Sequence, residues 1–155
     1  MKKYISLIVW IIVLELVGSG IGLLTKESVD SWYITLNRSP LTPPNYLFGI
    51  VWSILYTMIA ASGWLIWQAK ELAASHIVKK SYIIQLLLNW SWMPLFFYYQ
   101  LTGTSLACMS AIIILVGFII IKTYNRLRLA SLLLIPYFLW LLFASHLNFY
   151  IWAYN

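Results

Sequence analysis

Residues 104–122 read TSLACMSAIIILVGFIIIK, a run that meets no charge before Lys122. A hydrocarbon core of about 30 Å takes roughly 20 mostly apolar residues of helix, so this stretch predicts a membrane span. Working outward, Thr102 and Gly103 mark a sharp turn out of a second apolar run at 80–101, and a short polar link at 123–128 leads to a third at 129–152. Two more lie upstream, at 44–69 and 4–24. Five such runs fit in 155 residues, of which 63% are hydrophobic and 9% charged, and little chain is left for anything else. The fold class predicted is an all-α integral membrane protein with one domain, 1–155, built as a bundle of five transmembrane helices.

The formal charge of +6 is distributed in a way that orients the bundle. With five spans, Lys2, Lys3, Lys70, Lys79, Lys80, Lys122, Arg126 and Arg128 share one side, and only Lys26 and Arg38 face the other. The excess of basic residues in cytoplasmic loops places the N-terminus in the cytoplasm and the C-terminus across the membrane. The basic charge is thereby explained without a nucleic-acid partner; the lipid bilayer is the partner that composition demands. A cleaved signal peptide is the competing reading of the first segment. It is disfavoured because the apolar run continues to Leu24 and no small-x-small cleavage site follows. Cys108 is the only cysteine, which excludes an intrachain disulfide, and it reads as a small buried hydrophobe.

Short links between the second and fifth helices predict that sequence neighbours pack antiparallel. The segment 25–43 differs, being too polar to span and too aromatic for a tether, with Trp32, Tyr33, Asn37, Arg38 and Pro40 among its residues. A loop of that length in a compact domain often serves as a lid. Ser28 to Leu36 predicts a short helix within it, and Pro40, Pro43 and Pro44 an extended approach to the second span.

Many aromatics at the ends of the spans, among them Tyr4, Tyr46, Trp64, Trp67, Tyr82, Tyr98 and Trp152, are expected in an interfacial belt. Interior residues fall instead on faces at helical spacing. Phe48, Trp52 and Tyr56 share one; Asn89, Met93, Phe96 and Gln100 a second; Trp140, Ala144 and Leu147, with Asn148 beside them, a third. Large rings mixed with small residues and amides would wall a cavity for a flat hydrophobic ligand. A packed core in which amides bridge helices fits the same spacing. Glu15 is the one carboxylate inside a span, where it must be paired, protonated or facing water. His146 is a candidate axial ligand or proton carrier, but His76 lies in a loop on the other side, so no metal site and no cofactor are predicted. Gly18 and Gly22 form a G-x-x-x-G face suited to close helix contact, within the monomer or in a dimer. No nucleophile triad, phosphate loop or carboxylate pair is present, so no catalytic residue is assigned.

Trp32-Tyr33 followed by Leu36, the series Ser39-Pro40-Leu41-Thr42-Pro43-Pro44, and Val51-Trp52 with Leu55-Tyr56 resemble the TspO/MBR family, the tryptophan-rich sensory proteins related to the mitochondrial translocator protein. The resemblance runs on through Leu88-Asn89-Trp90-Ser91-Trp92-Met93-Pro94 and closes with Pro136-Tyr137-Phe138-Leu139-Trp140, Phe143-Ala144 and Leu147-Asn148. It implies a five-helix bundle, often a homodimer, with an internal pocket capped by the long loop between helices 1 and 2. It further implies binding of porphyrins such as protoporphyrin IX and haem, in a role in tetrapyrrole handling or stress regulation. The binding residues it points to are Trp32, Tyr33, Pro43, Trp52, Tyr56, Asn89, Phe96, Gln100, Trp140, Ala144 and Leu147, most of them already on the three faces. That agreement favours a pocket over a plain core.

Relatives proposed to degrade protoporphyrin in light and oxygen imply a reactive role for Trp52 and Trp140, and transport of a porphyrin or another amphiphile is a further alternative. Benzodiazepine and cholesterol binding belong to animal members. Here the cholesterol motif lacks its basic residue, the run being Leu147-Asn148-Phe149-Tyr150-Ile151-Trp152-Ala153. With the short basic N-terminus, this favours a bacterial cell envelope. Leu41 stands where many relatives have tryptophan, and 104–121 lacks an aspartate often found there.

Overall fold

The computed structural model describes residues 2–70 and 74–155, and all regular structure among them is helical. Five long helices, α1 (Lys2–Asp30), α2 (Asn45–Gln68), α3 (His76–Met93), α4 (Thr102–Thr123) and α5 (Arg128–Tyr154), are joined by a 3₁₀ turn at Tyr33–Thr35 and a π-helical turn at Pro94–Tyr98. α1, α2, α4 and α5 are each long and apolar enough to cross a bilayer. α3 has 18 residues and carries Lys79 and Lys80 near its start, so its span is completed by the five residues of the π turn. The protein is an integral membrane helical bundle.

The helices close a ring in which α1 packs on α2, α2 on α5, α5 on α4 and α4 on α3, while α3 and its π turn return to α1. The short link predicts α2 beside α3, yet their backbones seldom approach, and the two meet through long side chains such as Tyr82 and the Tyr56–Asn89 pair. The reason is visible in the core, where Ile59 and Ile66 of α2 join Ile112, Val116 and Ile119 of α4 and Leu134 and Leu141 of α5, all essentially without exposure. Lipid is as apolar as these side chains, so close packing and interhelical hydrogen bonds hold such a bundle. Ser62 Oγ donates to Ala130 O at 2.9 Å, and Tyr82 OH donates to Ile59 O at 2.8 Å. Tyr82 is 1% exposed, and Trp64 is 8% exposed with its Nε1 donating to Ser6 Oγ. Neither therefore belongs to the expected belt, whereas Tyr4, Tyr46, Tyr98 and Trp152 are exposed as a belt requires.

α1 runs six residues past its expected end. No glycine or proline interrupts it after Gly22, and Thr25 Oγ1 hides its hydroxyl by donating back to Ile21 O and Gly22 O. The lid is correspondingly shorter, from 31 to 44, and the predicted Ser28–Leu36 helix is divided between the end of α1 and the single 3₁₀ turn.

The third span also ends differently. Pro94 has no N–H, and its ring crowds the carbonyl four residues back, so the chain widens into the π turn, with Tyr99 N–H on Pro94 O at 2.9 Å. Leu101 N–H then reaches Leu95 O at 2.9 Å, which requires Gln100 to adopt φ 56°. An L-residue pays about 1–2 kcal/mol for that conformation, part of it recoverable by glycine. Gln100→Gly is therefore expected to raise stability by about 0.5–1 kcal/mol in detergent unfolding, the gain being reduced by glycine's greater freedom in the unfolded chain.

Candidate functional site

Beneath the lid, α1, α2, α3 with its π turn, and α5 enclose a cavity of about 370 Å³. Each helix contributes one face. α2 presents Phe48, Gly49, Trp52 and Tyr56, α5 presents Trp140, Ala144, Leu147 and Asn148, and α3 with the π turn presents Asn89, Met93 and Phe96. The fourth wall is α1, through Glu15, Gly18, Gly22 and Lys26, and the lid closes the top with Tyr33.

Of the three indoles that line the cavity, Trp92 is held by a hydrogen bond to Asn148, whereas Trp52 and Trp140 are held by rings. Trp52 lies 5.5 Å from Tyr56 and 6.2 Å from Tyr137, between centroids, and Trp140 lies 5.9 Å from Phe48 and 5.5 Å from Phe143. Such tilted and edge-on contacts fix ring planes while leaving an apolar surface open. Trp140 Nε1 is buried with no hydrogen-bond partner among the described residues.

The polar groups of the wall are mostly engaged with each other. Tyr56 OH donates to Asn89 Oδ1 at 2.8 Å, Asn89 Nδ2 donates to Tyr137 OH at 2.9 Å, and Tyr137 OH donates to Gln85 Oε1 at 3.2 Å. This chain ties α2, α3 and α5 together below the cavity. Asn148 Oδ1 accepts from Trp92 Nε1 and Ser105 Oγ, both at 3.1 Å, and its Nδ2 donates to Thr102 O at 2.9 Å, which joins α5 to α3 and α4. What this wall still offers a ligand is the second amide N–H of Asn89 and of Asn148 and the lone pairs of the Tyr56 hydroxyl. Glu15 Oε1 accepts from Thr57 Oγ1 at 3.1 Å, which ties the carboxyl group in the wall of α1 to α2.

The lid is held at two places. Tyr33, 5% exposed, packs edge-on against Phe96 and Phe97 of the π turn, at 6.2 and 5.5 Å. The Arg38 guanidinium lies over the Tyr33 ring, 5.3 Å from its centroid. Burial pushes the Tyr33 phenol above its ordinary value, with the Arg38 charge opposing. Farther along, Asn37 N–H donates to Asn155 Oδ1 at 2.8 Å and Asn155 Nδ2 donates back to Asn37 O at 3.2 Å, so the side-chain amide just past α5 pairs with the middle of the lid.

Of the eleven residues named from sequence, eight line the cavity: Tyr33, Trp52, Tyr56, Asn89, Phe96, Trp140, Ala144 and Leu147. Three do not. Gln100 is exposed in the turn after the π helix, because Pro94 ends the helical register that would have carried it inward. Pro43 lines a separate cleft in the lid, of about 470 Å³. Trp32 packs behind the wall, 5.7 Å from Phe96. His146 is exposed on α5, away from the cavity. The wall missed by sequence is α1, although Glu15, Gly18, Gly22 and Lys26 recur at three- and four-residue steps that put them on one face.

The family described as TspO/MBR matches residues 10–153 of the chain. The "Tryptophan-rich protein TspO" of Archaeoglobus fulgidus is 36% identical over 151 residues, covering 97% of each chain. An "Uncharacterized membrane protein YtaB" of Bacillus subtilis is 34% identical over 100% of this chain and 99% of its own. The human "Translocator protein" is 32% identical over 80% of this chain and 75% of its own. With the ring of five helices and the lidded cavity between them, these matches establish that the chain belongs to the TspO/MBR family.

Proposed function

We propose that the protein is a membrane receptor for porphyrins and similar flat hydrophobic molecules, bound in the lidded cavity. The observation that carries this reading is the pair Trp52 and Trp140, which bring two indole rings to the wall of one cavity from different helices. An apolar, ring-lined space with few free polar groups suits a planar aromatic ligand. The lid is read as lying on the side of the membrane opposite the cytoplasm, as the basic residues require. Titration of purified protein with protoporphyrin IX in the dark is expected to quench tryptophan fluorescence saturably; quenching that rises linearly with porphyrin removes the reading.

The same pair of indoles supports a second reading, light-dependent degradation of the bound porphyrin, in which dioxygen is the oxidant and an oxidisable ring stands beside the sensitiser. It needs no tuned acid or base. The double variant Trp52→Phe, Trp140→Phe is expected to bind within about threefold of wild type, because phenylalanine keeps most of the apolar ring. Its loss of porphyrin absorbance under illumination is expected to fall to the protein-free rate. Unchanged photolysis in the double variant leaves binding as the whole function.

A further inference from the structure

One face of α1 carries a carboxylate at its inner end and an ammonium at its outer end. Glu15 and Lys26 both line the cavity, and eleven residues of helix set their backbones about 16 Å apart along the wall. Between them Gly18, Ser19 and Gly22 keep that wall low, with no side chain larger than serine's. At the outer end a second cation arrives from the lid: Arg38 lies over Tyr33, itself a cavity residue, and lines the lid cleft of about 470 Å³. Asn45 lines both the cleft and the cavity, so the two spaces meet at the lip. A guanidinium placed with its carbon over a ring keeps most of its N–H donors available, and a lysine at the lip keeps its head in water while its stem covers apolar surface. Asp30 follows Lys26 by one turn but does not line the cavity.

We infer that Lys26 and Arg38 form an anion-binding lip, so that the cavity takes flat apolar molecules bearing carboxylates on one edge, held with that edge at the lid. This deepens the porphyrin reading and rests on it. The orientation follows from charge. A ligand carboxylate at the inner end would meet the Glu15 carboxyl, a second acidic group already on that wall, and two acids there disfavour each other. At the lip it gains charge-assisted hydrogen bonds, bidentate in the case of arginine, and keeps contact with water. The lid then recognises the acid edge while the indoles recognise the ring.

The test compares protoporphyrin IX, a dicarboxylic acid, with its dimethyl ester, titrated in the dark into protein held in phosphatidylcholine nanodiscs, with partition into empty nanodiscs subtracted. Wild type is expected to bind the diacid about tenfold or more tighter than the diester, the range of two charge-assisted contacts at a partly solvated site. The double variant Lys26→Gln, Arg38→Gln is expected to erase that preference, lowering diacid affinity about tenfold more than diester affinity. Equal affinity of wild type for the two compounds overturns the lip and spares the porphyrin reading. So does a double variant that loses both compounds equally, since the cations then hold the lid rather than the ligand. Saturable binding of neither compound overturns the lip and the porphyrin reading together.

Discussion

Gly63→Val is expected to destabilise the protein by about 3 kcal/mol, the upper range for overpacking a closed core. A Cβ built at Gly63 overlaps the Tyr82 hydroxyl and ring and comes within 2.7 Å of the Trp10 ring. Tyr82 has no room to swing away, and Trp10 is hemmed in by two rings. Tyr82 is essentially fully buried and its hydroxyl donates to Ile59 O, while Trp10 is wedged 5.3 Å from Trp67 and 6.1 Å from Tyr82. Any added carbon must therefore break the hydrogen bond, separate α1, α2 and α3, or both. The helical gain from replacing glycine, about 1 kcal/mol at most, does not offset this. Unfolding in mixed detergent micelles measures the loss. Repeating it in a Tyr82→Leu background, where the clashing ring is gone, is expected to remove most of the penalty, and an undiminished penalty there means that the clash is not its cause.

The second large effect concerns binding. Gly22→Phe is expected to abolish measurable porphyrin binding, a loss of about a hundredfold or more, because the ring occupies volume the ligand needs and displaces its apolar contacts. A Cβ at Gly22 meets nothing within 4 Å, and Gly22 lines the cavity, so the new side chain has room only where the ligand would lie. Stability is expected to stay within about 1 kcal/mol of wild type, since phenylalanine is no worse in a helix than the glycine it replaces. Gly18→Phe provides the contrast. Its Cβ overlaps the Tyr56 ring, the group that donates to Asn89 and begins the hydrogen-bonded chain across three helices. That variant is expected to lose stability and binding together. Retained tight binding in folded Gly22→Phe protein would remove the cavity as the site.

The pair Gly18 and Gly22 shows where legibility in the sequence stops. Their spacing puts both on one helix face, and that much is local geometry. Which of them touches Tyr56 and which faces open space depends on the crossing of α1 and α2, to which residues far apart in the chain contribute. The spans, their number and the grouping of Trp52, Asn89 and Trp140 on inward faces follow from hydropathy and the 3.6-residue period, because the bilayer fixes helix length and backbone bonding leaves no other way to cross it. The TspO/MBR resemblance was likewise legible in the aromatic and proline blocks of the chain.

Gln100 illustrates the other side. Helical spacing carries it onto the face of Asn89, Met93 and Phe96, but Pro94 widens the helix and a left-handed turn sends it outward. The ring order that separates α2 from α3 is equally tertiary, set by which surfaces pack rather than by which links are short. So are the pairing of Asn37 with Asn155 and the sharing of one cavity by Lys26 of α1 and Tyr33 of the lid. Local periodicity determined what each helix shows to its neighbours; long-range packing alone decided which of those faces enclose a cavity, because enclosure is a property of several helices at once.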